Sequence, residues 1–321
     1  MKKSLIALAV LAASGAAFAQ STVTLYGVVD AGITKNGAAG TTTFTGGGVN
    51  GTPRLGFKGE EDLGGGLKAV FQVETGLNSG KETATSIGDR GAFVGIAGSF
   101  GTVTMGSSVL SPSFFARAGT DPSTTNNYSI VKYGTSLVRM DNSINYTSPS
   151  FAGVTVRASM VQKDDNGGTK GATDISVVYA NGPLTLAASS ADNGLAEGKG
   201  SFVGAAYNLG MAKVFVNSVK ATGTPAVAAK DAVAAVPGNA GTAAVTAKDA
   251  VKGLDYTSFG VSVPFGATTL QADYRTAKDK ADDTYVLSAQ YALSKRTSLT
   301  AYTSKTEAVK ANMGLGIRHN F

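Results

Sequence analysis

Residues 312–321 read Asn-Met-Gly-Leu-Gly-Ile-Arg-His-Asn-Phe, and apolar and polar side chains alternate along this stretch. One set of alternate positions holds Met313, Leu315, Ile317, His319 and Phe321. A period of two residues predicts a β-strand, because successive side chains of a strand point to opposite faces. One face suited to hydrocarbon and one suited to water predict a strand of an outer-membrane barrel.

The N-terminal segment is typical of an export signal. Two lysines precede an apolar run from residue 5 to about residue 13, and Ala17-Phe18-Ala19 supplies a cleavage site of small residues. We therefore predict a signal peptide over residues 1–19, cleaved after Ala19. The barrel domain is predicted over residues 20–321, in the outer membrane.

The composition excludes several other classes of protein. No later apolar run is long enough for a membrane-spanning helix, so a lipid-embedded fold has to be a closed barrel. After cleavage, 26 basic residues (28 less the two lysines) face 22 acidic ones, and no long run of like charges occurs. This mild excess argues against nucleic-acid binding. Cysteine is absent from all 321 positions, so the exported chain folds without disulfides.

The same alternation recurs along the chain and predicts sixteen antiparallel strands. The segments are 22–34, 53–61, 67–77, 90–97, 102–107, 143–148, 154–162, 174–180, 184–190, 202–208, 213–220, 255–263, 268–276, 284–292, 296–305 and 311–321. Short turns alternate with longer connections, an asymmetry typical of outer-membrane barrels. The predicted fold is therefore all-β, a 16-stranded antiparallel transmembrane β-barrel.

Two long connections differ in composition. Residues 107–139 mix aromatic and charged side chains, among them Phe114, Phe115 and Asp121, and in a barrel this wide such a loop can fold inward. Residues 221–253 contain an imperfect Ala-Lys-Asp-Ala-Val repeat without strand periodicity. We predict that this second segment is an extracellular loop insertion that the main activity does not need.

The final strand also predicts how the barrel assembles. It ends on an aromatic residue, Phe321, and it has to close the wall against the first strand. An unpaired strand edge is not tolerated in hydrocarbon. Phe321 is therefore predicted to act as an assembly signal.

Three phrases carry a family resemblance: Tyr-Gly-Val-Val-Asp at 26–30, Arg-Leu-Gly-Phe-Lys-Gly-Glu-Glu-Asp-Leu-Gly-Gly-Gly at 54–66, and Gly-Leu-Gly-Ile-Arg-His-Asn-Phe at 314–321. Through them, essentially the whole mature chain resembles the trimeric general porins of beta-proteobacterial outer membranes, a Gram-negative family. The resemblance implies a sixteen-stranded barrel, a homotrimer and a third loop that constricts the pore. We expect the protein to lie among outer-membrane lipid and lipopolysaccharide. It also implies passive diffusion of ions and small hydrophilic solutes.

The resemblance further implies which residues set selectivity. In anion-selective relatives, arginines on the barrel wall do so, and matching the surrounding phrases places them here at Arg54, Arg90 and Arg139. Lys58 lies on the same strand face as Arg54. Asp121 in the third loop has two interpretations, an acid that opposes the arginines across the opening or a Thr-Asp-Pro turn residue that caps the loop backbone.

Strict alternation gives Arg90 an unexpected orientation. It places this arginine on the face of Val94 and Ile96, so either a bulge intervenes or those apolar residues face protein at a trimer contact. Two other bases on the lumen face, Arg157 and Arg318, are interpreted as ordinary wall charges.

An enzyme is the chief rival class, and the residues argue against it. A Ser/His arrangement needs a base beside the nucleophile, whereas the one histidine, His319, lies on the lipid face of its strand. One histidine without cysteine cannot form a zinc set. We therefore predict no catalytic site, no cofactor and no metal, although acidic pairs such as Asp282-Asp283 leave divalent-ion bridging to lipopolysaccharide open.

Three functions remain after these exclusions. They are a general diffusion porin with mild anion selectivity, a substrate-preferring channel for small carboxylates or phosphate, and a non-conducting structural or adhesin barrel. The lumen bases are interspersed with acids such as Glu60, Glu74 and Asp273, whereas a specific channel calls for a continuous basic or aromatic ladder. The general porin is therefore favoured, with small anions and hydrophilic solutes in transit.

Overall fold

The computed structural model describes residues 22–77, 86–123, 138–162, 171–192, 198–222, 253–278, 283–307 and 310–321. The elements in these ranges are β1 (Thr22–Lys35), β2 (Thr42–Thr45), β3 (Arg54–Gly64), β4 (Leu67–Gly76), β5 (Gly91–Gly98), β6 (Gly101–Ser107), β7 (Val109–Leu110), α1 (Pro112–Thr120), β8 (Arg139–Met140), β9 (Ser143–Thr147), β10 (Val154–Val161), β11 (Thr173–Asn181), β12 (Leu184–Asp192), β13 (Lys199–Asn208), β14 (Lys213–Ala221), β15 (Leu254–Phe265), β16 (Thr268–Ala277), β17 (Thr284–Ala292), β18 (Thr297–Thr306) and β19 (Asn312–Asn320). The predicted signal peptide, residues 124–137 of the third loop and residues 223–252 of the predicted insertion lie outside the described residues.

The wall closes at β1, because one edge of β1 pairs with the last strand, β19, and the other edge pairs with the next wall strand, β3. Residues 28–35 of β1 pair antiparallel with residues 313–320 of β19, and residues 22–28 pair with residues 54–60 of β3. From β3 onward each wall strand pairs with the next, and β6 pairs directly with β9. The described wall therefore has the sixteen predicted strands, while β2 extends one edge of β1 and β7 pairs with β8 as a separate sheet. Closure lets neighbouring strands satisfy the backbone groups, as hydrocarbon requires.

The two faces of the wall strands divide as the sequence pattern predicted. In β19, Met313, Leu315 and Ile317 are each at least half exposed on the outside, whereas Gly316 is buried. In β1, Asp30 is fully buried on the inner face. A continuous exposed apolar surface is a liability in water but matches a hydrocarbon environment. No helix in the described part of the chain is long and apolar enough to cross a membrane.

Exposed aromatic side chains gather at the end of the barrel that carries the short turns. Phe100, Phe151 and Phe265 lie at the turns after β5, β9 and β15, and all three are exposed. Aromatic residues prefer the boundary between hydrocarbon and water, so these side chains form one interfacial girdle. The turn between β3 and β4 uses Gly64, Gly65 and Gly66 at φ values of 79°, 62° and 80°, which residues with a Cβ rarely adopt.

The third loop contains a helix, α1, that the sequence pattern did not predict. Ser111 caps its N-terminus, because the Ser111 Oγ accepts a hydrogen bond from the Phe114 amide at 3.2 Å. Pro112 occupies the first turn, where the missing N–H costs nothing. The helix ends where the Asp121 amide donates to the Arg117 carbonyl at 2.8 Å, so it spans nine residues.

Polar contacts hold α1 against a distant part of the wall. The Ser113 Oγ donates to Asp174 Oδ1 of β11 at 2.8 Å, and the Thr120 Oγ1 donates to Asn217 Oδ1 of β14 at 2.7 Å. Ala116 is fully buried in the cluster between the helix and this wall. The loop leaves the wall after β6, and these contacts attach it to β11 and β14, which lie several strands further along the wall. The prediction that the third loop folds inward is therefore confirmed.

Candidate functional site

The three arginines that the resemblance singled out converge on one carboxylate, that of Glu74 in β4. The Arg90 Nε lies 3.0 Å from Glu74 Oε1. The Arg54 Nε lies 3.5 Å from Oε2, and the Arg139 Nη2 lies 3.6 Å from Oε1. Tyr26 of β1 donates its hydroxyl hydrogen to Oε2 at 3.0 Å. One negative charge therefore partly balances three positive charges.

The strand register explains how Tyr26 reaches Glu74 across an intervening strand. Tyr26 of β1 pairs with Gly56 of β3, and Gly56 pairs in turn with Glu74 of β4. A Cβ at position 56 would overlap the ring of Tyr26. Glycine at this position therefore leaves the space that the tyrosine ring occupies.

Arg90 faces the lumen because a turn, rather than the strand, sets its orientation. It precedes β5 in a turn held by Asp89, whose Oδ1 accepts from the Gly76 amide at 2.8 Å. Gly91 follows with a φ of 155°, so the regular alternation of β5 does not extend back to Arg90. Val94 and Ile96 consequently lie on the outside, 62% and 46% exposed. Of the two alternatives, an interruption of the alternation accounts for the orientation of Arg90, and this interruption is the turn at Gly91 rather than a bulge within β5.

Arg139 enters the cluster from the third loop. It pairs with Leu110 in the small β7–β8 sheet, and its Nη1 donates to the Ser108 carbonyl at 2.9 Å. The neighbouring acid, Asp141, accepts hydrogen bonds from the Ser107 hydroxyl at 2.9 Å and the Ser108 amide at 2.8 Å. The Asp141 carboxylate therefore binds the loop backbone beside Arg139.

Taken together, Arg54, Arg90, Arg139 and Glu74 carry two excess positive charges, and the arginines remain accessible from the lumen. The Glu74 side chain is 9% exposed, whereas those of Arg54, Arg90 and Arg139 are 26%, 19% and 21% exposed. Arginine stays protonated throughout the physiological range, so this charge is permanent. Guanidinium groups in such a cluster can attract anions and can bind carboxylate or phosphate oxygens.

The other two predicted selectivity residues lie in different surroundings. Lys58 is exposed on β3, with its Nζ 5.4 Å from the centroid of the Tyr26 ring. Asp121 is 1% exposed at the end of α1, and its Oδ1 accepts from the amide and the hydroxyl of Ser123, both at 2.8 Å. Its carboxylate also interacts electrostatically with that of Asp273 in β16.

Phe321 lies where the barrel closes, directly opposite Gly27 of β1. Its amide donates to the Gly27 carbonyl at 3.1 Å, and the Gly27 amide donates back at 3.0 Å. A Cβ at position 27 would overlap the Phe321 ring, so the ring covers the backbone of β1 at this point. The last residue thereby adds one hydrogen-bonded pair beyond β19.

Sequence reasoning missed the part that Glu74 and Tyr26 play in the cluster. It treated Glu74 only as one of several lumen acids. The signal that could have identified it is the register through Gly56, because pairing β3 with both neighbours brings Tyr26 and Glu74 level with Gly56, two residues along β3 from Arg54.

Known proteins are similar to this chain in sequence. Residues 5–310 match the profile of a family described as Gram-negative porin. Outer membrane porin protein 32 of Delftia acidovorans is 37% identical over 67% of this chain and 68% of that protein. An outer membrane porin protein of Bordetella pertussis is 30% identical over 100% of both chains.

Solved porin structures have the same fold. An anion-selective porin from Comamonas acidovorans superposes with a TM-score of 0.69 at 23% identity, over 94% of this chain and 100% of that one. A triple mutant of the Rhodopseudomonas blastica porin gives a TM-score of 0.68 at 18% identity with the same coverage. These likenesses confirm the predicted barrel fold. Because the family profile spans nearly the whole sequence, this chain belongs to the Gram-negative porin family.

Proposed function

We propose that this chain is a general diffusion porin of the outer membrane that passes ions and small hydrophilic solutes with a mild preference for anions. The observation that carries the preference is the convergence of Arg54, Arg90 and Arg139 on the single carboxylate of Glu74. Porins are channels, so family membership confirms the prediction that the chain is not an enzyme.

The physical basis of the preference is a positive field that Glu74 only partly compensates, in the part of the lumen beside the third loop. Charges that line a cleft with low-dielectric walls raise the local concentration of ions of opposite sign. Rings of arginine or lysine therefore favour anions in pores. The partial compensation by Glu74 keeps the expected preference mild rather than strong.

Lys58 and Asp121 receive smaller roles in this proposal. Lys58 is exposed on the lumen face of the same strand as Arg54, so it adds to the positive field. Asp121 is almost fully buried and its Oδ1 accepts two hydrogen bonds from Ser123. Its negative charge offsets the arginines only weakly, because α1 carries it toward β14, away from the cluster around Glu74.

The test is a planar-bilayer recording of the zero-current potential in a KCl gradient. The unmodified protein should conduct and should prefer chloride, and the preference should weaken as salt rises, because the Debye length falls from about 10 Å at 0.1 M to about 3 Å at 1 M. Replacing Arg54, Arg90 and Arg139 together by Gln should move the potential toward cation preference.

Each failure has a distinct meaning for the proposal. A closed or non-conducting barrel would refute the diffusion function and favour a structural or adhesin role. Cation preference in the unmodified protein would refute the charge argument. An unchanged potential in the folded triple variant would place the selectivity-determining residues elsewhere.

The proposed assembly is a homotrimer in outer-membrane lipid and lipopolysaccharide. The exposed apolar outer face of the wall and the aromatic girdle at the short-turn end support the place in lipid, and membership of the porin family supports the homotrimer. Crosslinking of the purified protein should give a trimer as the largest prominent species. A species no larger than a monomer in mild detergent would contradict the homotrimer.

A further inference from the structure

A recess opens beside the arginine cluster, between the third loop and the adjacent wall. It has a volume of about 380 Å³ and lies between residues of β4, β5, β6, β9 and β10 on one side and residues 108–115 on the other. This volume falls within the range of small-molecule binding sites. Three of the described residues that line the recess are arginines, namely Arg90, Arg139 and Arg157. No acidic residue is among the described residues that line it.

Arg157 is the arginine that the selectivity argument does not use. Its guanidinium carbon lies 4.5 Å from the centroid of the Phe115 ring, so the group stacks on the face of an aromatic side chain of the third loop. Among the described residues, no carboxylate lies within ion-pair distance of it. A stacked guanidinium keeps its N–H donors in its own plane, where they are directed away from the ring and toward other acceptors.

The rest of the recess combines an apolar surface with fixed polar groups. Phe93, Leu110 and Phe115 provide apolar lining. Ser159 donates to Asn145 Oδ1 at 2.6 Å, which holds these two polar side chains together on the wall. The recess therefore presents positive charge and apolar surface within one small volume, which suits a ligand that has both a negative group and an apolar body.

We propose that this recess is a binding subsite for small aromatic carboxylates, with Arg157 binding the carboxylate and Phe115 contacting the ring. The inference rests on the proposed porin function, because the recess opens on the lumen through which solutes pass. Inorganic anions would gain only the charge interaction there. An aromatic carboxylate also removes the apolar lining from water, which adds to its affinity.

The experiment is calorimetric titration of the folded, purified protein with benzoate, acetate and inorganic phosphate. Benzoate should bind about tenfold more tightly than acetate or phosphate, because only benzoate buries apolar surface. Arg157→Gln should weaken benzoate binding about tenfold, as expected for the loss of a charge-assisted hydrogen bond.

The matched control is Arg318→Gln, which removes the same charge from the lumen wall outside the recess. Its guanidinium donates to the Asn320 side chain and to the Asn50 carbonyl. Arg318 belongs to β19, whereas the wall residues of the recess belong to β4, β5, β6, β9 and β10. Benzoate affinity should fall about twofold or less in this control, because only the screened long-range field changes. Phe115→Leu should reduce the advantage of benzoate over acetate and serves as a second readout if Arg157→Gln folds poorly.

The outcomes separate this inference from the proposed function. Equal affinities for benzoate, acetate and phosphate, or equal losses in the Arg157 and Arg318 variants, would overturn the subsite. Calorimetry does not require conduction, so benzoate binding that depends on Arg157 would stand even if the KCl recordings refuted anion selectivity. Anion selectivity without preferential benzoate binding would leave the proposed function intact and would refute the proposal that the recess binds aromatic carboxylates.

Discussion

Replacing Glu74 by Gln should make the pore more anion-selective while the barrel stays folded. Glutamine has nearly the same size and can still accept the hydrogen bond of Tyr26. It removes the one charge shared by Arg54, Arg90 and Arg139, so the local excess rises from two positive charges to three. The arginine side chains are partly exposed, so water can hydrate them when the carboxylate is gone.

The size of the effect follows from the field of one unit charge. At about 6 Å in water, a unit charge changes the energy of a monovalent ion by about 0.7 kcal/mol. Screening at 0.1 M reduces this to about 0.4 kcal/mol. Because the energy of a cation and that of an anion change by this amount in opposite directions, the anion-to-cation permeability ratio changes about three- to fourfold. At 1 M the same charge contributes about 0.1 kcal/mol and changes the ratio about 1.4-fold.

The assay is the reversal potential of single channels in KCl gradients centred on these two concentrations. Glu60→Gln is the matched control, because Glu60 lies on the same strand face as Arg54 but is 52% exposed and pairs with Lys68 at 2.8 Å. The control should change the ratio less than Glu74→Gln. An unchanged ratio in Glu74→Gln would refute the assignment of Glu74. Equal changes in the permeability ratio at both salt concentrations would show that Glu74→Gln acts by rearranging the third loop rather than by removing the electric field of the Glu74 charge.

Further predictions concern assembly, the insertion and packing. Deleting Phe321 should sharply reduce outer-membrane insertion, because its backbone pair closes the wall against β1, and a normal yield of folded protein in fractionated membranes would contradict this. Replacing residues 221–253 by a short Gly/Ser linker should leave single-channel conductance intact; loss of more than about half would show that the segment lines or gates the pore. Gly56→Ala should destabilise the barrel by about 1–3 kcal/mol through overlap with the Tyr26 ring, measured by urea unfolding. Gly47→Ala, where an added Cβ has only one neighbouring atom at 3.8 Å, is its control, and equal stability of the two variants would reject the packing argument.

Much of the wall could be predicted because one physical rule applies to every strand. Each wall strand has hydrocarbon on one side, so its apolar residues recur with a period of two. The agreement is close where turns are tight, as for β17, predicted at 284–292 and observed at Thr284–Ala292. The rule does not apply to β2, a short strand that pairs with one edge of β1, or to β7 and β8, which pair with each other as a separate sheet.

The site was less predictable because it depends on contacts between segments distant in sequence. Helix α1 is nine residues long, and its position is fixed by Asp174 and Asn217 on other strands. The orientation of Arg90 depends on the turn that ends at Gly91, where alternation gives the wrong face. The positions of the three arginines came from family resemblance, whereas their common partner Glu74 is evident only once the strands are in register.

The path of the third loop has a mechanical consequence. Because the loop leaves the wall after β6 and is bound at β11 and β14, it acts as a tie across the cylinder rather than as a flap hanging from one side. Lateral pressure from the bilayer can make a thin-walled cylinder oval, but a tie of fixed length resists lengthening of the cylinder along its own direction. The aperture beside the arginines is therefore expected to keep its width when membrane tension changes, so solute exclusion should be insensitive to the mechanical state of the cell envelope.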